Sequence, residues 1–493
     1  MLSLVRSVKN TFAPVNRIPP DVISLIPNHW EDSDRDENMI RLTHVCRSWR
    51  ELLISQPLLW SRLDCIGAEK TKAYIERSKS CPLEICLGQP NDTTCNWEEG
   101  FILTVPHVGR LGTLSVFGTP AKVLPVLIEH FSHHVPLLNN LKIVLICDQP
   151  PSLPDGLLDG DLSSLHELSL AGVITPLPWR GLSNLTSFNL CHIPEDKIIL
   201  TQLLHFLEST PRLRYIHFHD SIPDSSDAPA GRVISLPRLE ELTIIAQPPH
   251  SVFLDHLSVP VGASLCLGFS LTTGGTPIRS YLPKSLSNLR NLSHITATHL
   301  HFGLEERSIQ FNGPSGELYM FGVFTAAGNR INVATDRFLL SLDRFDISRN
   351  QWLAITLCNY QPPASARVDG WIVYQTLRSM GSLRILTLAE CNNLPFIRIL
   401  NPNENTSNTV LCQKLEEIIL HIRKPDQFRI NDLLRMAEER ALRGAKLSAI
   451  LIVSLDVAFV PTEEAVFQLR KHVSRVEHKF DDVLPEWDTL PVM

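Results

Sequence analysis

Two short stretches hold side chains whose types and spacing could do chemistry. In Glu129-His130-Phe131-Ser132-His133-His134, His130 and His134 would share one helix face, the spacing that lets two imidazoles reach one zinc ion. The stretch lacks the H-E-x-x-H order that adds a general base, so it reads as a solvated helix face. In Tyr215-Ile216-His217-Phe218-His219 the polar residues alternate with apolar ones, which places Tyr215, His217 and His219 on one side of a β-strand. Metal ligation there would need an acidic or cysteine partner that spacing does not supply. A recognition surface fits better: tyrosine brings a rigid contact with a polar tip, and the histidines would tie binding to pH between about 6 and 7. The chain has no glycine-rich phosphate loop, nucleophile elbow or kinase signature, and no C-x-x-C pair among its eleven cysteines. These residues call for a binding protein rather than an enzyme, with no metal and no cofactor.

Composition agrees with an ordinary folded chain: 493 residues, 44% hydrophobic and 20% charged, enough for two to four domains or a small domain joined to a repeat array. The formal net charge of -7 gives no electrostatic footprint for a nucleic acid. No run of about 18 uncharged apolar residues occurs, which argues against a membrane span. The opening MLSLVRSVKNTF is broken by Arg6 and Lys9 and is too short for a signal-peptide core. The expectation is an intracellular protein, cytoplasmic and/or nuclear, without a membrane partner.

What must position the Tyr215 strand is a recurring phrase, L-x-x-φ-x-φ, where φ is apolar. It reads LGTLSV from 111, LNNLKI from 138, LHELSL from 165, LTSFNL from 185, LRYIHF from 213 and LEELTI from 239. It resumes as LDRFDI from 342, LRILTL from 383, LEEIIL from 415 and LSAILI from 447. Starts 20 to 28 residues apart in the first group, and 32 apart among the last three copies, match the period of leucine-rich repeats, with some longer units. Each phrase predicts a strand whose fourth and sixth residues face a core, and segments such as TQLLHFLEST (201–210) and AKVLPVLIEHFSHHV (121–135) predict returning helices. Strand and helix in alternation predict parallel strands stacked in a curved α/β solenoid. The third, fifth and seventh residues would then line an open face: Glu167, Asn189, Tyr215, His217, His219, Glu241 and Thr243 form the candidate substrate surface. The array is degenerate, because the Asn or Cys expected three residues after the phrase occurs only as Cys391, while Val173, Ile193, Ser221 and Gln247 stand there in other copies. Residues 248–338 contain no defensible copy and read either as drifted repeats or as an inserted excursion. PTEEAVFQLRKHVSRVEH (461–478) predicts a capping helix, acidic in its first turn and basic in its last, with Val466, Leu469, Val473 and Val476 on one face.

Residues 17–66 form a different object. RIPPDVISLIPNHW has the proline-led start of a helix, followed by an acidic insert, EDSDRDE (31–37). In LTHVCRSWRELLISQPLLW, Leu42, Val45, Cys46, Trp49, Leu52 and Leu53 fall at the spacing of one helical stripe, ending at Pro57. The chain is thus expected to comprise a tail (1–16), this all-helical unit (17–66), a connecting segment (67–100), the solenoid (101–455, irregular over 248–338) and a capping helix with tail (456–493).

The helical unit resembles the F-box in its proline pair Ile18-Pro19-Pro20, its V-C-R-x-W core at Val45-Cys46-Arg47-Ser48-Trp49 and its Leu59-Trp60 ending. It is similar in particular to the F-box-like proteins of mushroom-forming fungi, where the box precedes a phrase like KTKAYIERSKSCPLEI (70–85) and degenerate leucine-rich repeats. Leu25-Ile26-Pro27 stands where that family shows an I-F pair, and the loop before the next helix is longer and more acidic. The resemblance implies a hook for the SKP-type adaptor of a cullin-RING ubiquitin ligase, with Pro19, Pro20, Ile23, Ile26, Leu42, Val45, Cys46, Trp49, Leu59 and Trp60 as adaptor contacts. It implies that the repeats hold a protein substrate.

Overall fold

The computed structural model describes residues 18–480 except 31–34, 89–96, 120–122, 126–128, 130–134, 148, 154–161, 175–180, 224–228, 230, 247–250, 272–281, 303–305, 325–340, 358–369, 390–393, 406–407, 423–428 and 455–459. The chain is mixed α/β and divides into two compact units between Ile193 and Pro194. Both terminal tails, Cys391 and the histidines at 130, 133 and 134 fall outside the described residues, as does most of the helix expected over 121–135.

The first unit opens with three short helices, α1 (Pro20–Leu25), α2 (Arg35–Thr43) and α3 (Arg47–Ile54), with a 3-10 turn at Ile26–His29 and another at Pro57–Trp60. There follow β1 (Arg62–Leu63), α4 (Ala68–Ser78), β2 (Leu83–Leu87), α5 (Glu98–Thr104), β3 (Leu111–Gly118), β4 (Asn140–Leu145), β5 (Glu167–Ala171) and β6 (Ser187–Cys191). These six strands pair in chain order, all parallel. The ladder therefore starts at β1, at the end of the stretch expected to be all-helical, and continues with β2, inside the stretch expected to be a connecting segment. The end of that stretch is well packed: Trp97 and Phe101 are buried edge to face, and a Cβ on Gly100 would meet the Cys65 carbonyl at 2.1 Å.

The second unit contains α6 (Leu200–Ser209), β7 (Tyr215–His219), β8 (Ile234–Ser235), β9 (Glu241–Ile245), α7 (Ser251–Asp255), β10 (Leu257–Ser258), β11 (Ser264–Leu271), β12 (Ala297–Phe302), β13 (Glu306–Gly313), β14 (Gly316–Phe324) and β15 (Trp352–Leu357). It ends with α8 (Gly370–Ser379), β16 (Ile385–Ala389), α9 (Leu394–Leu400), β17 (Glu417–Ile422), α10 (Ile430–Leu442), β18 (Ala449–Ser454), α11 (Glu463–His472) and β19 (Arg475–Phe480). Its ladder runs β7-β9-β11-β14-β13-β12-β15-β16-β17-β18-β19, parallel except for β13. Strands β8 and β10 form a separate parallel pair. Neither ladder closes on itself among the described residues.

Nine of the ten phrases lie on strands, and the register shows why. In each, the fourth and sixth residues sink into the core: Leu114 and Val116, Leu141 and Ile143, Phe188 and Leu190, Ile216 and Phe218 are all at most 1% exposed. Burying each such side chain contributes about 1.5–3 kcal/mol. The phrase's leading leucine closes a turn, its amide donating to the carbonyl three residues back, as in Leu165 to Leu162, Leu185 to Leu182 and Leu383 to Met380. At the strand ends the backbone turns through left-handed residues, Gly88, Gly172, His192 and Asp220. At Gly88 and Gly172 only glycine fits, since a Cβ would meet a neighbouring strand's carbonyl oxygen at 2.2 Å. The Asn or Cys of the fuller pattern is replaced by plain burial: Val173 and Ser221 are fully covered and Ile193 nearly so.

Two expectations need correction. LDRFDI is not a strand; Ser341–Arg344 is a 3-10 turn, and Asp346 ends it by accepting hydrogen bonds from the Ser348 amide and hydroxyl. The working phrase sits eight residues later as Asn350-Gln351-Trp352-Leu353-Ala354-Ile355, with Asn350 in the leucine position, its amide donating to Ile347 O as the leucines do. The stretch from 461 is not one helix: α11 stops at His472, and Val473 and Val476 belong to the turn and to β19, whose alternating Arg-Val-Glu-His-Lys-Phe suits a last strand. Residues 248–338, expected to hold drifted repeats or an inserted excursion, contribute four strands to the ladder among the described residues. There β12, β13 and β14 enter in reverse spatial order, so β13 runs antiparallel to both its neighbours.

That reversal sets a buried polar group against the sheet. His299 on β12 is 6% exposed, hydrogen-bonded through Nε2 to Thr356 Oγ1 of β15 at 3.1 Å, with its ring 6.2 Å from that of His301. Burial, reinforced by His301, lowers its pKa from 6.5 to about 4. Because the folded value lies below the unfolded one, the unfolded chain takes up the proton first as pH falls. Stability from His299 is complete above about pH 6.5 and is lost toward pH 4 by up to roughly 3 kcal/mol. Denaturant midpoints measured at pH 7, 5.5 and 4.5 are expected to fall in that order for the native chain, and to fall less for His299→Gln.

Candidate functional site

The helical unit is built on a small core. Ile23 of α1, Met39 of α2 and Trp49 and Leu53 of α3 are at most 5% exposed. Trp60 is fully buried, donates from Nε1 to Leu53 O at 2.9 Å, meets the Tyr74 ring edge-on at 5.0 Å and lies under the Arg77 guanidinium at 4.3 Å. Tyr74 and Arg77 are on α4, so Trp60 ties the three helices to the start of the ladder.

The expected single stripe over residues 42–53 does not form. The chain leaves helix at Thr43, turns through His44 and Val45, and re-enters after Cys46, whose φ of -157° and ψ of 171° are extended. Arg50 secures the break by donating from Nε to the Thr43 carbonyl at 2.9 Å. Leu42 and Trp49 thus sit on different helices. Of the ten candidate adaptor contacts, Pro19, Pro20 and Val45 are exposed, and Ile26, Leu42 and Cys46 are half-buried. Ile23, Trp49, Leu59 and Trp60 are buried and serve the unit's own core, a correction to their reading as contact residues. Sequence reasoning missed the other exposed apolar groups: Val22 (48%), Leu25 (54%), Ile40 (45%) and Leu58 (68%). Their signal was available, since Pro19, Val22 and Leu25 are three apart, a spacing that continues one helix face.

The second candidate surface divides between the units. In the first ladder Glu167 is exposed, accepts from Asn140 Nδ2 at 2.5 Å and is in register with Ser187, while Asn189 is half-buried opposite Ser169. In the second, Tyr215 pairs with Glu241, His217 with Thr243 and His219 with Ile245. Tyr215 donates to Glu240 at 2.9 Å, and Glu240 also takes a two-pronged contact from Arg214 at 2.7 Å per bond. These bonds hold the Glu240 carboxyl below its usual range and the Tyr215 phenol above its own. His217 stands 3.6 Å from Glu241, and Thr243 donates to the same carboxylate at 3.0 Å. His219 stands 3.7 Å from Asp220. The surface continues onto β11 and β14, where Ser264 donates to Glu317 at 2.6 Å and the rings of Tyr319 and Phe321 stack at 5.5 Å. Those strands carry no leucine-led phrase, which hid them. Farther along, the same face is covered: Thr356 and Thr387 are 1% exposed and His421 7%.

Among the described residues no group of His, Cys, Asp and Glu is arranged to hold a metal ion, and no helix is long and apolar enough to cross a membrane. The chain matches no model of a known protein family, and no curated protein matches it.

Trp60→Ala is expected to cost about 3–5 kcal/mol, because it removes the largest side chain joining helices to ladder; denaturant unfolding measures this. Tyr215→Ala is expected to leave the melting temperature within about 2 °C of the native chain, as befits a half-exposed side chain outside the core. A larger fall would place Tyr215 in the core.

Proposed function

We propose that this chain is the substrate-recognition subunit of an SKP-cullin-F-box ubiquitin ligase. The N-terminal helices act as an F-box for the SKP-type adaptor, and a degenerate leucine-rich-repeat solenoid holds the protein to be modified. The observation that carries the reading is the division of labour in residues 18–66: a core of Ile23, Met39, Trp49, Leu53 and Trp60 supports an outer set of exposed apolar side chains on α1, α2 and the turns that follow α2 and α3. The in-register parallel strands, seven of them approached by the same leucine-closed turn, support the repeat reading of the remainder. Binding on both surfaces is burial without bond-making, and the ligase partners would supply the transfer chemistry by proximity.

A second reading is a leucine-rich-repeat scaffold with no ubiquitin role, whose helices merely cap the array. The docking of Trp60 against Tyr74 and Arg77 favours it, since that contact is spent inside the chain.

Co-purification of the full chain with an SKP-type adaptor separates the two. The native chain is expected to retain the adaptor. Val45→Asp and Leu58→Asp, both at exposed positions, are expected to weaken retention by at least about tenfold without lowering the melting temperature. A native chain that leaves the adaptor unbound, under conditions where established F-box proteins capture it, rules the ligase reading out.

A further inference from the structure

Helix α2 is held in an unusual way. Its only buried side chains are Met39 and Thr43, and its exposed face is laced by an Arg41-to-Glu37 ion pair. At its C-terminal end the Thr43 carbonyl is pinned by Arg50. At its N-terminal end the fastening is made of charge. Asp36 in the first turn pairs with Lys70 of α4 and accepts a hydrogen bond from Tyr74 at 3.2 Å. Lys70 also donates to Asp64, in the loop after β1, at 2.6 Å. The Lys70 side chain is 28% exposed and those of both aspartates 33%, so the cluster is partly desolvated, where pairing counts for more than at an open surface.

We propose that Lys70 is a latch. By bridging Asp36 and Asp64 it decides whether the first turns of α2 stay docked on α4, and with them the apolar side chains Ile40, Leu42 and Val45. The latch is a conformational device within the fold; its consequence for adaptor capture rests on the function proposed above. The physical asymmetry supports it. Without the ammonium, two carboxylates face the same space with no cation between them, while Met39 alone offers α2 little apolar burial. The C-terminal pin and α3 are untouched by that loss, so the expected response is local opening rather than unfolding.

Hydrogen exchange on the full-length chain tests this, with native, Lys70→Met and Lys70→Arg forms compared. In Lys70→Met, exchange across residues 36–43 is expected to rise about tenfold while residues 47–54 and strands β3 to β5 keep native protection. Lys70→Arg, which restores a cation, is expected to return residues 36–43 toward native rates. Unchanged exchange in Lys70→Met, or a rise spread through the ladder, would overturn the proposal, the latter by making Lys70 a general stabiliser. Adaptor capture, measured in parallel, is expected to fall in Lys70→Met and recover in Lys70→Arg. If the native chain binds no adaptor, the ligase reading fails while the exchange result still decides the latch.

Discussion

One backbone carbonyl per repeat fixes where everything else in the ladders can stand. The oxygen of the phrase's second residue accepts two successive amides from the next strand: Asn139 from His166 and Glu167, His166 from Thr186 and Ser187, Arg214 from Glu240 and Glu241, Arg384 from Glu416 and Glu417. A shift of one residue would turn every leucine out and every polar residue in, so the double acceptance locks the alternation that buries one side. The side chains of those same second residues then meet across the step. Arg214 grips Glu240 and Arg384 grips Glu416 with the same two-pronged geometry. These exposed pairs decorate a register that the backbone has already set.

The excursion through β12, β13 and β14 shows how much that constraint tolerates. Strand β12 keeps the shared acceptor, the Thr296 carbonyl receiving Gln351 and Trp352, although its chain neighbour β13 runs the other way. The ladder is therefore rebuilt from non-consecutive strands with the repeat geometry intact on both flanks. The changed surroundings show in the side chains: β12 buries His299 in the fifth position of its phrase, where β7 holds the half-exposed His217. Equivalent positions thus carry a surface at one place and an interior at another.

Legibility in the sequence followed this physics closely. Leucine at the turn and alternating apolar residues announce a strand because both are needed to bury one side, and that logic located nine strands and α6. It failed where another residue does leucine's work. Asn350 closes its turn as Leu383 does, Ile295 leads the phrase of β12 with Thr298 buried in the fourth position, and Gly262 stands in the lead before β11. A pattern written in leucine cannot see these. The N-terminal helices failed differently. The spacing from Leu42 to Leu53 is helical, but nothing in it reveals that a buried core needs the chain to turn at Val45. Only the packing of Trp49 and Trp60 shows which apolar side chains are already used.

The same packing explains why residue type is a poor guide to the candidate contact surface. Tryptophan is the residue most often credited with binding energy, and in this chain the two tryptophans of the V-C-R-x-W and L-W signatures are among the least accessible groups of the helical unit. Their size makes them the natural fillers of a core that fifty residues can scarcely enclose. The smaller apolar groups, Val22, Leu25, Ile40, Val45 and Leu58, are left outside because the tryptophans have taken the interior. A signature rich in tryptophan therefore marks the scaffold of such a unit, and its contact surface has to be sought among the branched aliphatic side chains that the scaffold holds out.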